Sequence, residues 1–163
     1  MTINWNPNAH NPMAKSMEIG GHGGHIKIDV QGYERPETSD EDDANWLVAQ
    51  CKVAAAEFSC ILKLSLVTRD FVEFLAQLEK AVDSLNGAAT FTTLEEGLHI
   101  EIKFNHAGHA DLFGRARSQT SMVPEQSVLS FSFETDQSFL AQTVRELKGI
   151  VMQFPIRKPS APT

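Results

Sequence analysis

From Trp46 to Val67 apolar and polar residues alternate with little interruption. In "WLVAQCKVA", Leu47, Ala49, Cys51 and Val53 share one face; in "FSCILKLSLV", Phe58, Cys60, Leu62, Leu64 and Leu66 share one face, with Ser59, Lys63 and Ser65 opposite. A period of two on both sides of the short "AAE" turn predicts a β-hairpin with one buried face. A turn centred between Ala55 and Ala56 would set Cys51 directly across from Cys60. The same alternation predicts strands at "HIKIDV", "AATFTTL", "LHIEIKF", "HADLFGRARS" and "VLSFSFE". In "LHIEIKF", Leu98, Ile100, Ile102 and Phe104 point inward while His99, Glu101 and Lys103 point out.

Two stretches change to helical spacing. In "TRDFVEFLAQLEKAVDSLNG", Phe71, Leu75, Leu78, Val82 and Leu85 line one stripe, Thr68 is placed to cap the start, and Asn86-Gly87 supplies the stop. "TDQSFLAQTVRELKG" carries Leu140, Val144 and Leu147 in the same way, with Asp136 placed to cap it. Strands with one apolar face, joined mostly by tight turns, predict an antiparallel sheet open to water on its other side. The expected architecture is therefore α+β: one sheet of about six to seven strands with both helices packed on one face. Its predicted core includes Leu47, Cys51, Phe58, Leu62, Leu64, Phe71, Leu75, Leu78, Leu98, Ile100, Phe131 and Leu140. Trp46 is expected at the core rim. No internal repeat is visible.

Residues 1–24 are rich in Asn, Pro, Gly and His and show no period, so they read as a loosely ordered lead-in. Residues 25–153 read as a single domain, and 154–163 as a frayed, proline-rich tail. A chain of 163 residues suits one domain with a real core. Residues 118–127 read as a polar loop.

Charge narrows the partners. The net charge is −7, and the stretch from Gln31 to Ala44 holds six acids against one arginine, so most of the excess sits there. Nucleic acid and anionic membranes need a basic footprint, so neither is expected; a basic protein partner fits better. The apolar runs are too short to span a bilayer, and the N-terminus lacks the pattern of a signal peptide. With two cysteines read as reduced, buried thiols, the expected location is the cytoplasm.

Candidate chemistries are sparse. "HGGH" (His22, His25) and "HAGH" (His106, His109) repeat one spacing, and two converging pairs could ligate a tetrahedral metal. Neither pair has helical support or a cysteine, so exposed turn histidines explain the pattern more simply. The acidic run Asp40, Glu41, Asp42 and Asp43 lacks the spacing and glycine of a calcium loop, and reads as a solvated cluster. "GGHGG" lacks the lysine of a phosphate loop, and no G-x-S-x-G elbow occurs. Phe131 and Phe133 read as core, because no basic residues interleave them. No catalytic residue, cofactor or metal is assigned.

The order of elements resembles a known bacterial family. It is carried by "NWL" after the acidic loop, "EFSCILKLSL", "DFVEFLAQLEKAVDSLNGAATF", "LHIEIKF" leading to "GHADLFG", and "LSFSFETDQSFL". Over roughly residues 25–150 the chain is similar to the WapI-type immunity proteins of polymorphic toxin systems. Cys60 departs from the pattern where a glycine is usual, and so does "HAGH", which bears on the partner rather than the fold. The resemblance implies a non-catalytic, protein-binding inhibitor of a toxin domain, with Asp40, Glu41, Asp42 and Asp43 as the partner-binding surface for a basic toxin. The alternatives are a metal-dependent small-molecule binder or enzyme using His22, His25, His106 and His109, or a structural module with no toxin partner.

Overall fold

The structure, a computed structural model, describes residues 14–119 and 126–159. Parts of the expected lead-in, the polar loop and the tail (1–13, 120–125 and 160–163) lie outside the described residues. The strands are β1 (Lys15–Gly21), β2 (Gly24–Tyr33), β3 (Trp46–Ala55), β4 (Phe58–Val67), β5 (Ala88–Thr92), β6 (Leu98–His106), β7 (His109–Arg117) and β8 (Val128–Asp136). The helices are α1 (Thr68–Ser84) and α2 (Gln137–Gln153).

The α+β class is observed, but the single sheet is not. Eight strands form two four-stranded antiparallel sheets, ordered β1-β2-β3-β4 and β5-β6-β7-β8. Alternation reports which way a side chain faces and is silent on which strands pair, so it cannot reveal where a sheet ends. Residues 15–21, inside the expected lead-in, form β1 with Met17 and Ile19 fully buried.

The chain thus repeats one unit, a four-stranded meander followed by a seventeen-residue helix. The helices are exchanged: α1 follows the first sheet but lies on β5 of the second, while α2 follows the second and lies on β1 of the first. They also touch each other, and Lys148 pairs with Glu79 between them. Buried positions of α1 (Phe71, Phe74, Leu78, Ala81) recur in α2 sixty-nine positions later (Leu140, Thr143, Leu147, Ile150). Of the seventeen aligned positions only Leu78/Leu147 and Val82/Val151 are identical, which is why the sequence shows no repeat.

Both sheets and both helices share one apolar core, with Phe91 of β5 packed between Phe71 and Phe74 at ring-centroid distances of 5.4 and 5.3 Å. Most of the expected core is buried, but Leu62 and Leu75 are only half-buried, and Phe58 is 65% exposed. Phe58 has the inward parity but sits at the hairpin end. Trp46 is half-buried and has the parity opposite to Leu47, so it faces away from the core. Asp136 caps α2 as expected, its Oδ1 accepting from Ser138 N–H (2.8 Å) and Phe139 N–H (3.2 Å). At α1 the cap residue is Val67 rather than Thr68, and Asp70 Oδ2 accepts from the Val67 N–H at 3.0 Å.

Helix side chains seal two sheet edges. Glu146 of α2 accepts from the Glu18 N–H of β1 (2.7 Å), and Gln77, its counterpart in α1, accepts from the Thr90 N–H of β5 (2.9 Å). Edge strands left unpaired are sites of unwanted association, so such seals have a clear physical use.

Candidate functional site

The acidic loop is built locally. Asp40 Oδ1 accepts from Asp42 N–H (2.8 Å) and Asp43 N–H (3.2 Å), and its carbonyl accepts from Ala44 N–H at 2.9 Å. One aspartate thereby starts the short 3-10 turn Asp43–Asn45 that feeds β3. Asp43 is half-buried and pairs with Arg35. Asp40, Glu41 and Asp42 are exposed, and the carboxylates of Glu41 and Asp42 have no partner among the described residues.

Residues 154–157 of the expected frayed tail instead brace this loop. Phe154 is buried, and Tyr33 donates its hydroxyl hydrogen to the Pro155 carbonyl. Arg157 stacks its guanidinium 3.8 Å from the centre of the Tyr33 ring. It also donates to the carbonyls of Ala44 (2.9 Å), Pro36 (2.9 Å) and Arg35 (3.1 Å). Asn45 completes the clasp: its Oδ1 accepts from Arg157 N–H (2.7 Å) and its Nδ2 donates to the Arg157 carbonyl (3.0 Å). Burial pushes the Tyr33 phenol up, against the opposing pull of Arg157. Because Arg157 binds carbonyls rather than carboxylates, the loop is anchored while Glu41 and Asp42 stay turned to solvent. No local signal marks Arg157, whose partners lie more than a hundred positions upstream.

The histidines of "HGGH" and "HAGH" sit at or beside turns. His22 Nε2 is 3.9 Å from Asp136 Oδ2 and His25 Nε2 is 3.3 Å from Glu18 Oε2, while His106 and His109 flank the β6–β7 turn and are exposed. Among the described residues no group of three or more His, Cys, Asp or Glu side chains is placed to hold a metal ion. Three glycines of "GGHGG", Gly20, Gly21 and Gly24, have a packing reason. A Cβ on Gly21 would lie 2.2 Å from the Glu134 carbonyl oxygen, and one on Gly24 would lie 2.0 Å from the Phe133 ring. There the β1–β2 turn closes against β8, His22 N–H donating to Glu134 O at 2.7 Å.

The turn of the Cys hairpin falls at Ala56–Glu57, not between Ala55 and Ala56, so Cys51 faces Leu62 and Cys60 faces Val53. Both are free thiols, and burial pushes Cys51 up to about 12.

The feature the sequence did not disclose is the outer edge of β4. A groove of about 290 Å³ runs beside it, with Val48, Ile61, Leu62 and Leu64 as its apolar lining and Glu34 and Glu95 among its polar residues. Ile61 is 65% exposed, and Ser65 donates its hydroxyl hydrogen to Glu34 Oε2 at 3.0 Å.

Compared with known proteins, residues 17–155 match the sequence model of a family described as the immunity protein WapI-like family. Neither the curated proteins nor the solved structures contain a match.

Proposed function

From the premise that the chain belongs to the immunity protein WapI-like family, we propose that it is a non-catalytic inhibitor that binds a basic toxin domain, with the loop bearing Asp40, Glu41, Asp42 and Asp43 as its docking surface. The observation that carries this reading is the clasp. Arg157 and Asn45 hold the loop backbone at both ends, while the Glu41 and Asp42 carboxylates remain unpaired and solvent-facing among the described residues. A pre-organised single-sign field of this kind speeds encounter with an oppositely charged partner. It costs little ordering on binding. The cytoplasm, where such a toxin domain would meet it, is the compartment that fits this role.

The test uses a toxin domain taken from the gene neighbouring this chain's, where one is encoded there. Asp40→Asn, Glu41→Gln, Asp42→Asn and Asp43→Asn together remove four negative charges and keep an acceptor oxygen at the Asp40 cap. The Arg35–Asp43 pair is solvent-exposed, so its loss costs at most about 1 kcal/mol and the melting temperature barely moves. Association should slow by about tenfold or more at low salt, with the difference shrinking as salt rises. A quadruple variant that associates as fast as the wild type at low salt would refute the docking assignment.

A further inference from the structure

The four outer edges of the two sheets are not treated alike. β1 is closed by Glu146 and by the hydroxyls of Thr143 and Thr135, which donate to the carbonyls of Glu18 (2.6 Å) and Gly20 (2.7 Å). β5 takes Gln77, and β8 takes the His22 N–H. β4 takes one such bond, at its far end, where Asp70 Oδ2 accepts from the Val67 N–H, and none from Ser59 to Ser65 among the described residues. Its two-residue turn makes Ala55 and Phe58 a hydrogen-bonded pair, so Ser59, Ile61, Lys63 and Ser65 aim their N–H and C=O groups away from β3. None of these four has a main-chain partner on that side among the described residues.

The two repeated units differ in three connections, and all three differences fall beside this edge. The β2–β3 connection is long where β6–β7 is a two-residue turn, and it supplies Glu34 to the groove. The β5–β6 connection is longer than β1–β2, and it supplies Glu95. The β7–β8 connection is longer than β3–β4, and it supplies Ser118 and Gln119. At each of the three places where the units differ in connection length, the longer connection lends a wall to the same groove.

We propose that the open edge of β4 accepts an extended, basic segment of the toxin domain as a fifth strand of the first sheet, with apolar side chains seated against Ile61 on one face and Leu62 on the other and basic side chains meeting Glu34 and Glu95. This rests on the toxin-binding reading and specifies its contact. Strand addition draws affinity from main-chain bonds and specificity from alternate side-chain pockets, and the edge offers both. Glu95 has no ionic partner among the described residues, and Glu34 opens the same connection that carries Asp40–Asp43. The charge that steers encounter is therefore continuous with the groove that would hold the bound strand. Lys63 alone among the charged lining residues opposes a basic strand.

Amide hydrogen exchange read by NMR, with the same toxin domain as the probe, tests it. In the free protein the amides of Ser59, Ile61, Lys63 and Ser65 should exchange fast while those of Cys60, Leu62 and Leu64 are slow; in the complex the first set should become protected. Ile61→Pro removes one outward N–H and no bond to β3, so it should weaken binding about tenfold or more. Ile61→Thr keeps the N–H and should weaken binding less. A complex in which the four amides still exchange fast, with tight binding by Ile61→Pro, overturns the strand-addition proposal and leaves the inhibitor reading standing. Absence of any binding by the wild type overturns both. Protection of these amides in the free protein that grows with concentration overturns the proposal in favour of a second copy of this chain.

Discussion

The packing of the "GGHGG" turn allows a sharp test of how the two sheets are joined. Gly21→Ala would place a methyl carbon 2.2 Å from the Glu134 carbonyl oxygen and 2.6 Å from the Phe133 ring. A carbon and a carbonyl oxygen settle near 3.3 Å or more, so backbone must give way by about 1 Å. The bond from His22 N–H to Glu134 O, 2.7 Å long, lies in the same place and cannot survive that shift. An orphaned backbone pair costs about 1–3 kcal/mol, and forced overpacking about 1–3 kcal/mol. The site is only half-buried, so water recovers part of the first cost, and about 2–4 kcal/mol in total is expected. Gly23→Ala is the matched control. Gly23 has φ +78° and no atom within 4 Å of the added carbon, so only the left-handed backbone cost of about 1–2 kcal/mol applies. Gly21 is not among the positive-φ glycines and carries no such strain. Urea unfolding of both variants at equal m-value should rank Gly21→Ala as clearly the less stable. A Gly21→Ala variant that loses no more stability than Gly23→Ala would refute the close approach of β1–β2 to β8.

Two further outcomes follow from burial. Leu78→Ala, at a fully buried helix position, should cost about 2–5 kcal/mol in chemical denaturation, and Leu75→Ala should cost less because Leu75 is only half-buried; equal costs would mean that α1 is rotated. Cys51 keeps its proton more tightly folded than unfolded, so its stabilisation is intact below pH 9 and is lost as pH climbs toward 12. Stability measured across that window should fall, and Cys51→Ala should flatten the fall; an unchanged slope would show that the thiol is not buried as described. Cys60, half-buried, should react with a thiol reagent in the folded protein before Cys51 does.

The sequence was most legible where one face of an element is buried. β2, β3, β4, β6, β7 and β8 each carry alternation that a buried face imposes, and both helices carry their stripes. β1 escaped because its apolar signal is confined to Met17 and Ile19, followed by glycines that packing against Phe133 and Phe139 demands. Phe58 shows the complementary limit: its parity is inward, but parity does not say where the covering layer stops. The brace on the acidic loop was hidden for a different reason. Tyr33, Asn45 and Arg157 are unremarkable one by one, and their relation is a matter of long-range geometry that no spacing encodes.

The open edge of β4 was hidden more deeply still, because it is defined by a comparison between two halves that share almost no residues. Sealing an edge needs a side chain of the right reach at one helix position, and Gln77 and Glu146 meet that need with different chemistries at equivalent places. A search for similar residues misses such a pair, whereas the hydrogen bonds reveal it at once. With those bonds in view, β4 stands out as the edge left unsealed from Ser59 to Ser65 among the described residues, and each longer connection lends that groove a wall. Selection for folding alone gives no reason to leave an exposed Ile61 beside unpaired main-chain groups, since such edges invite association. A binding partner supplies that reason. In a chain with this architecture, the departures from the repeat are therefore better pointers to the partner than the elements the halves have in common.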